Sequence, residues 1–379
     1  MTIPVPAARA SCGLHPGPDA CHFTVALMTD ANGRAGWSGD SLPMPVATPD
    51  DPGLSFLGKD AMADIAERWR IGNVTITRIV EAEQEGVPPS AIFQDLSEQD
   101  VRALSWLRPH YSGADGRLRL SNHSFVIESC GRRIMVDTCV GNDKDRAADM
   151  FHRLDTPFLE RMAAAGFAPD TIDYVLCTHM HVDHVGWNTR RDGRQWVPTF
   201  PNARYLFGRV EWDHCRQEAI ETGDVPAGMA AMLQPEAVIA DSIRPIVDAG
   251  LADFVETDHR VTEEVALFPT PGHTPGHVSV RIASAGYSAV ITGDVIHHPV
   301  QFARPAISAT VDHDRERARA TRRSLIEDNA DQDVILLGTH FAGASGGRVV
   351  RDGAGWRFLP CRDGAGAPGD DPLPDHPVV

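Results

Sequence analysis

The feature that most constrains this chain is a cluster of metal-binding residue types directly after a short apolar segment. The run at residues 172–177 predicts a buried strand, because it is short, apolar and lies between Pro169 and a polar stretch. A single histidine is usually a solvated or core residue, but side chains two positions apart on extended backbone share a face and can converge. Four ligand-type residues in six positions therefore predict a metal site, and these are His179, His181, Asp183 and His184.

The residue types in this cluster indicate which metals can bind there. Imidazole and carboxylate ligands without a thiolate suit zinc, manganese, cobalt or iron better than calcium or an iron–sulfur cluster. The chain has seven cysteines, and no pair has C-x-x-C spacing, so neither a disulfide framework nor a thiolate zinc site is indicated. A reducing compartment is expected.

Composition narrows the partners and the location. Lysine and arginine total 35 against 52 aspartates and glutamates, giving a net charge of −17, and no basic block is present. Nucleic acid is therefore not an expected partner. The N-terminus shows no signal-peptide pattern and no apolar run could span a bilayer, so a soluble, cytoplasmic protein with no membrane partner is expected. A homodimer is left open.

The chain is predicted to hold one folded domain. Residues 1–68 are rich in Pro, Gly, Asp and Ala, which predicts a poorly ordered extension with one short helix near Lys59 to Trp69. The domain is expected over residues 69–360, and a mobile tail over 361–379.

Within the domain, strands alternate with helices. A hairpin is predicted from residues 118–128 and 132–137, and a helix in two pieces from 145–154 and 157–165. An amphipathic helix is predicted over residues 315–329. This mixture indicates an α/β (α+β) fold in which sheets lie between layers of helices.

The segment at residues 87–111 has two interpretations. It carries scattered large apolar residues, including Phe93 and Trp106, and only a short helical signal. It is either a surface segment packed on the core or an apolar flap over the metal site.

Three later strands are predicted to end in further ligand-type residues. His273 lies in a loop that two prolines stiffen and two glycines make flexible. Asp294 ends one predicted strand in the sequence Thr-Gly-Asp. His340 ends the last predicted strand in the sequence Gly-Thr-His. Each pattern alone is ordinary turn chemistry. Together, polar termini after apolar strands indicate one shared site.

The motifs together resemble those of the metallo-β-lactamase-fold hydrolases. The series is His-x-His-x-Asp-His at residues 179–184, Gly-His-Thr-Pro-Gly-His at 272–277, Gly-Asp at 293–294 and the distal His340. The resemblance covers roughly residues 71–360 and implies an αββα sandwich. It implies that His179, His181 and His273 hold one metal, that Asp183, His184 and His340 hold the second, and that Asp294 bridges them.

Within that superfamily, the pattern is most similar to the methyl-parathion hydrolase and N-acyl-homoserine-lactone lactonase group. Those lactonases place a tyrosine where this chain has His297, which favours an ester or phosphotriester hydrolase. The related redox branch has a carboxylate where His181 stands. The alternatives are a mononuclear-iron redox or sulfur-transfer enzyme on the same fold, a β-lactam or thioester hydrolase, and a non-catalytic protein with structural metals.

The expected mechanism uses two divalent metal ions, zinc first, to make a hydroxide nucleophile from water near neutral pH. The expected bond cleaved is that of a lactone, carboxylic ester or organophosphate triester. Asp183 and Asp294 are candidates to accept the proton and pass it to the leaving group. His297 either donates a hydrogen bond or proton to the substrate, or it only supports the metal ligands from behind, or it is simply an exposed histidine beside His298.

The expected substrate is a small uncharged or apolar ester. Aromatic residues flank the ligand motifs or lie on the possible flap, and they are candidates to line the substrate pocket. They are Phe93, Trp106, Trp187, Phe302 and Phe341.

Overall fold

The computed structural model describes residues 66–221 and 233–361, and of residues 218–221 it describes the backbone only. Most of the predicted extension, residues 1–65, and most of the predicted tail, residues 362–379, lie outside these ranges. Arg68 already pairs with Thr77, so regular structure begins one residue before the predicted boundary at 69. In the described ranges no helix is long and apolar enough to cross a membrane.

The first sheet has seven strands in the order β1-β2-β3-β4-β5-β8-β9. Its first four strands pair antiparallel, and the pairs β4–β5, β5–β8 and β8–β9 are parallel. A separate hairpin is formed by β6 and β7. The bounds are β1 Arg68–Ile71, β2 Val74–Val87, β3 Leu118–Ser129, β4 Arg132–Val136, β5 Tyr174–Leu176, β6 Thr189–Asp192, β7 Gln195–Pro198, β8 Arg204–Gly208 and β9 Ala252–Val255.

The second sheet has six strands in the order β10-β11-β12-β13-β14-β15. All neighbours are antiparallel except β12 and β13, which run parallel. The bounds are β10 Val265–Pro269, β11 Val278–Ser284, β12 Tyr287–Ile291, β13 Val334–Leu337, β14 Gly346–Asp352 and β15 Gly355–Pro360.

Two longer helices stand out among short ones. The α-helices are α1 Pro89–Ile92, α2 Glu98–Ala103, α3 Phe158–Ala164, α4 Arg209–Glu221, α5 Pro235–Val238, α6 Arg244–Asp248, α7 Val300–Ala303 and α8 Arg315–Asn329. A π-helical turn, Ile239–Ile243, joins α5 to α6. Single 3₁₀ turns are Ser105–Leu107, Asp149–Phe151, Pro169–Thr171, Gly186–Asn188 and Gly293–Val295.

Three apolar clusters define the layers. The central one joins the inner faces of both sheets, with residues such as Ile127 and Leu206 from the first and Val280 and Leu337 from the second. A second cluster packs the first sheet's outer face against α3, and a third packs the second sheet's outer face against α7 and α8. The predicted α/β class and αββα sandwich are confirmed.

Some element predictions were wrong. Residues 145–154 form only the turn Asp149–Phe151, because the chain loops back on itself and the Arg153 N–H donates to the Lys144 carbonyl. Trp69 lies in β1, so the predicted helix near Lys59 to Trp69 does not extend to its end, and its earlier part lies outside the described residues. By contrast, α8 has the predicted bounds.

The topology gathers strand ends at one place. Because β4 and β5 are parallel neighbours, Asp137 and the cluster that begins at Thr178 lie at the same edge of the first sheet. In the second sheet, β12 and β13 are parallel neighbours, so the residues after Ile291 and Leu337 also share an edge. These two edges supply the predicted ligands.

Candidate metal centre

Three histidine rings meet at the first half of the centre. The Nε2 atom of His273 lies 3.2 Å from Nε2 of His179 and 2.9 Å from Nδ1 of His181. The rings of His179 and His273 are fully or almost fully buried. These three residues form one group able to hold a metal ion.

A second group lies beside the first. The Nε2 atoms of His184 and His340 are 3.3 Å apart, and each lies 3.6 Å from a carboxylate oxygen of Asp183. These residues form another set able to hold a metal ion. The structure therefore brings the two predicted trios together as separate but adjacent groups.

Asp294 lies between the two groups. Its Oδ2 atom is 3.3 Å from Nε2 of His184 and 3.2 Å from Nε2 of His340. The same oxygen is 3.6 Å from Nε2 of His273 and 3.9 Å from Nε2 of His179. This is the position that a carboxylate shared by two ions would take.

The donor set fits divalent metals. Ligand atoms bound tetrahedrally to zinc at about 2.0–2.1 Å lie roughly 3.3 Å from one another. The nitrogen–nitrogen distances here are 2.9–3.3 Å. Neutral imidazole nitrogens that converge in this way cannot all donate to each other, since each neutral ring carries one proton. A cation satisfies the converging lone pairs.

Hydrogen bonds on the far side of the rings fix which nitrogen faces the centre. Nδ1 of His184 donates to Asp137 at 2.9 Å, and Nδ1 of His273 donates to Asp312 at 3.0 Å. Nδ1 of His340 donates to the Ser121 carbonyl at 3.2 Å. Each bond leaves the Nε2 lone pair pointing inward, as in carboxylate-supported metal sites.

Burial and charge set the protonation of the ligands. Burial lowers the pKa values of His179 and His181 well below the usual range, so both rings are neutral and can donate a lone pair. Burial acts in the same direction on His184, but the carboxylates of Asp294, Asp137 and Asp183 outweigh it and raise its pKa.

The pKa of Asp294 is lowered, although burial alone would raise it. Burial raises its pKa, but the neighbouring rings of His184, His340 and His297 outweigh this effect and hold the pKa well below the usual value. The carboxylate is therefore ionised, which is the form that binds a cation.

Glu211 ties the two histidine loops together. It is buried at the start of α4 and accepts from the Met180 N–H and the Gly276 N–H, both at 3.1 Å. Burial raises its pKa. The sequence analysis missed this residue, because a glutamate in the first turn of a helix is ordinary and nothing in its pattern indicates contact with two distant loops.

Asp312 is a further functional residue that the sequence analysis missed. Besides His273, it accepts from the Ala309 N–H at 3.0 Å and faces the guanidinium of the fully buried Arg322 at 3.4 Å. Burial raises its pKa, but the hydrogen bond and charge of His273 with the charge of Arg322 outweigh this and lower the pKa to about 2. It therefore stays ionised beside the ring that it orients.

Substituting Asp312 tests this orientation. We expect Asp312→Asn to weaken Zn²⁺ affinity by about 10- to 100-fold, because supporting carboxylates contribute that much to metal sites. An asparagine that turns its oxygen to His273 points its NH₂ group at the Ala309 N–H and Arg322, which are donors. Chelator competition measures the affinity, and Asp314→Asn, which keeps the N-cap of α8, is the matched control. Equal affinity in both variants would contradict the assignment.

His297 lies at the wall of the centre and is buried. Its Nε2 atom is 3.3 Å from Oδ2 of Asp294, and within the described residues neither ring nitrogen forms a hydrogen bond. Burial lowers its pKa to about 3, so the ring is neutral. The alternative of an exposed histidine does not match this position.

A cavity that is open to solvent leads to the centre. Its polar floor includes Asp183, Asp294 and His297, and no lysine or arginine of the described chain lines it. Most of the wall is apolar, formed by Ile92, Leu120, Met150, Phe151, Leu233 and Val311. An uncharged substrate suits such a wall.

The five aromatic residues predicted for the pocket do not line this cavity. Trp187 stacks on Phe158 and donates from Nε1 to Glu81 at 2.6 Å, facing the helix layer of the first sheet. The other four, Phe93, Trp106, Phe302 and Phe341, pack in the cluster outside the second sheet. Each of these side chains packs in the core instead of lining the cavity. A residue can be next to a ligand in sequence while its side chain points in another direction.

The segment at residues 87–111 both packs on the core and contributes to the cavity wall. Phe93, Leu96 and Val101 are buried in the apolar cluster, as a packed segment would be. Ala91 and Ile92, from α1, line the cavity. One short helix therefore covers the site while the rest anchors it.

Comparison with known proteins agrees with this geometry. The sequence profile of the metallo-beta-lactamase superfamily matches residues 117–340, more than half of the chain. An N-acyl homoserine lactonase, AiiA, of Bacillus thuringiensis subsp. kurstaki is 27% identical over 126 residues, which are 33% of this chain and 39% of the lactonase. The chain thus matches well under half the length of that relative.

A longer match is to a probable metallo-hydrolase of Mycobacterium tuberculosis, which is 23% identical over 259 residues. The match covers 58% of this chain and 74% of the relative. Among solved structures, the hydrolase AbOPH has a TM-score of 0.65 at 23% identity, covering 79% of this chain and 99% of that one. The dizinc quorum-quenching lactonase AidC has a TM-score of 0.64 at 19% identity, covering 78% and 98%. These structures share the fold. With its αββα architecture, its converging histidines and aspartates and this profile match, the chain belongs to the metallo-β-lactamase superfamily.

Proposed function

We propose that this protein uses two divalent metal ions, zinc first, to hydrolyse a small uncharged lactone or carboxylic ester, with an organophosphate triester as a further substrate class. The observation that carries the proposal is the ionised Asp294 between two ligand trios, at the floor of an apolar cavity. Names of related proteins support the lactone, since they include lactonases.

The residues assigned to each ion follow the two groups. His179, His181 and His273 would hold one ion, and Asp183, His184 and His340 the other, with Asp294 shared. When bound, such ions supply Lewis acidity, which makes a water more acidic and favours negative charge on the substrate oxygen.

The side chains of the chain supply proton transfer and orientation. Asp183, which lines the cavity, accepts the proton of the attacking water at a carboxylate oxygen and returns it to the leaving alkoxide. His297 has no hydrogen-bonding partner in the described structure, so its N–H can donate to an oxygen of the substrate. The apolar wall lowers the polarity around the centre, which strengthens both interactions.

The lining disfavours charged substrates. A β-lactam carries a carboxylate that binds best to a cationic side chain, and no lysine or arginine of the described residues lines the cavity. The Asp294 carboxylate at the floor is held in its ionised form, and an anion that reaches the floor must approach this negative charge. An uncharged ester meets neither difficulty.

Metal analysis together with a substrate panel tests this proposal. We expect close to two metal ions per chain, and hydrolysis of an acyl-homoserine lactone or an aryl ester that is lost on chelation and restored by Zn²⁺. A dialkyl aryl phosphate triester and a β-lactam complete the panel. One iron per chain with no hydrolysis would instead favour the redox or sulfur-transfer alternative, and fastest turnover of the β-lactam would contradict the neutral substrate.

We propose a cytoplasmic location as well. The described cysteines Cys130, Cys139, Cys177, Cys215 and Cys361 are free thiols, as is usual in reducing compartments. Cell fractionation tests this location, and recovery of the protein outside the cytosolic fraction would contradict it.

A further inference from the structure

Arg322 is a fully buried cation that lies outside both groups of candidate metal ligands. It belongs to the buried face of α8, together with Ala318, Leu325 and Ile326. Its side chain is 0% exposed, and it does not line the cavity. A buried guanidinium is costly unless it is paired and hydrogen-bonded, so its contacts indicate its role.

All three guanidinium nitrogens of Arg322 donate hydrogen bonds, and they reach three separate segments. Nε donates to the Val295 carbonyl at 2.8 Å. Nη1 donates to the carbonyls of Pro305 and Ile307, the first at 3.1 Å. Nη2 donates to the carboxylate of Asp312 at 3.4 Å. This one side chain therefore joins α8 to the turn after β12, to the loop after α7 and to the loop before α8.

Two of these segments hold candidate metal ligands. Val295 directly follows Asp294, the carboxylate that lies between the two ligand trios. Asp312 accepts from Nδ1 of His273 at 3.0 Å. Nε2 of His273 and Oδ2 of Asp294 are 3.6 Å apart. The planar guanidinium thus connects the backbone beside one ligand to the side chain that orients another.

Stability alone does not account for this arrangement. A buried ion pair is often no more stabilising than apolar side chains of similar volume, because the loss of hydration offsets the attraction. The side chains of Arg322 and Asp312 are both 0% exposed. What the guanidinium adds is a set of hydrogen bonds in fixed directions, which an apolar side chain at this position of α8 could not provide.

We propose that Arg322 is a positioning residue, which sets the placement of His273 relative to Asp294 for metal binding. It acts through Asp312 on the His273 ring, and through the Val295 carbonyl on the backbone beside Asp294. This inference rests on the two-metal centre of the function proposed above. Binding of both ions should depend on Arg322, because Asp294 lies between the two ligand trios.

The variant Arg322→Lys separates the hydrogen-bond geometry from the charge. A lysine keeps the positive charge, but its single nitrogen cannot bond the Val295 carbonyl and Asp312 from opposite ends of a planar group. We expect the Kd for Zn²⁺, measured by chelator competition, to rise about 10-fold or more. Arg319→Lys is the matched control, since Arg319 is half-buried on the same helix and donates to Ser308 at 2.9 Å. It should keep the wild-type Kd.

Spectroscopy and kinetics give readouts that a purely structural role would not change. The visible absorption spectrum of bound Co²⁺ reports the geometry of its ligands, and it should change in Arg322→Lys but not in Arg319→Lys. In ester hydrolysis, kcat of Arg322→Lys should fall about 10- to 100-fold, because displaced ligands misplace the reacting groups. KM should stay within about twofold, because Arg322 does not line the cavity. Arg322→Gln, which is uncharged and keeps one donor group, is a second variant with the same expected loss of Zn²⁺ affinity.

The outcomes separate this inference from the proposed function. Wild-type Zn²⁺ affinity in folded Arg322→Lys, or an equal loss of affinity in Arg319→Lys, overturns the positioning role. A lower melting temperature of the metal-free protein with an unchanged Kd, or failure of both Arg322 variants to fold, assigns Arg322 to folding and also overturns it. Zn²⁺ binding that depends on Arg322, without hydrolysis of any substrate in the panel, overturns the proposed function alone. A wild-type protein that binds no Zn²⁺ overturns both.

Discussion

Replacing either His181 or Asp294 by alanine is expected to reduce ester hydrolysis by at least about 10³-fold, because Lewis-acid stabilisation of the transition state contributes several kcal/mol. His181 places Nδ1 2.9 Å from Nε2 of His273, so its loss leaves one group with two rings. Asp294 lies within 3.9 Å of ligand nitrogens in both groups, so its loss affects both ions. The measurement is kcat/KM on the best substrate of the panel, paired with metal content.

An aspartate and a histidine outside the metal centre provide matched controls for these two variants. Asp258→Ala and His259→Ala change the same residue types in the loop before β10, away from the cavity. Both should keep wild-type metal content and turnover, and circular dichroism should show that all four variants are folded. Retained turnover in His181→Ala and Asp294→Ala would remove the proposed mechanism.

The positions of the candidate ligands could be predicted from the sequence, because they follow strands in recognisable patterns. A cluster such as His-x-His-x-Asp-His combines unusual residue types at a strand end, and parallel strands bring their ends together. The later ligands, His273, Asp294 and His340, follow apolar strands in the same way. The helix α8 was equally clear, since fifteen residues with helical periodicity begin after an aspartate N-cap.

Residues that orient the ligands could not be found in this way. Asp312 is 39 positions from His273, and Glu211 is 31 positions from Met180 and 65 from Gly276. Such pairs are selected by tertiary contact, and an isolated acidic residue in a loop or first helical turn carries no pattern that reveals its partner.

The strands that sequence reasoning missed are short, and their residue patterns are weak. The hairpin strand Thr189–Asp192 contains two arginines and an aspartate, and three of its four residues are exposed. Alternation of apolar and polar residues therefore gives no signal there. The strand Arg68–Ile71 does alternate, but at four residues it is too short to separate from the irregular sequence before it.

Aromatic residues near the motifs illustrate a second limit. Trp187 follows the ligand cluster directly, yet its indole donates to Glu81, which also accepts from the Val140 and Gly141 N–H groups. Proximity in sequence fixes the distance between Cα atoms but leaves the side-chain direction to packing. The cavity wall is consequently mainly aliphatic, with Phe151 rather than any of the five predicted aromatic residues in it.

The second large effect is expected at Gly186, which closes the histidine cluster. A Cβ atom there would lie 1.7 Å from the Val140 carbonyl oxygen and 2.7 Å from the Gly141 nitrogen. Neither atom can move freely, because the Gly186 N–H donates to the Cys139 carbonyl at 2.8 Å and the Trp187 N–H donates to the Thr138 carbonyl at 2.8 Å. The clash must therefore separate the loop after β4 from the turn that follows His184.

We expect Gly186→Ala to lower the free energy of unfolding by at least about 3 kcal/mol, as severe overpacking does. It should also weaken Zn²⁺ binding, because the Thr138 N–H donates to the carbonyl of His184 across the same contact. Gly208→Ala is the matched control, since its Cβ would meet no atom closer than 3.4 Å, and its stability should change by less than about 1 kcal/mol. Urea unfolding of both variants measures the difference. Equal stability of the Gly186→Ala and Gly208→Ala variants would contradict this prediction. It would mean that the loop after β4 and the turn after His184 can separate without loss of stability, so that the close approach at Gly186 does not hold the histidine cluster against the first sheet.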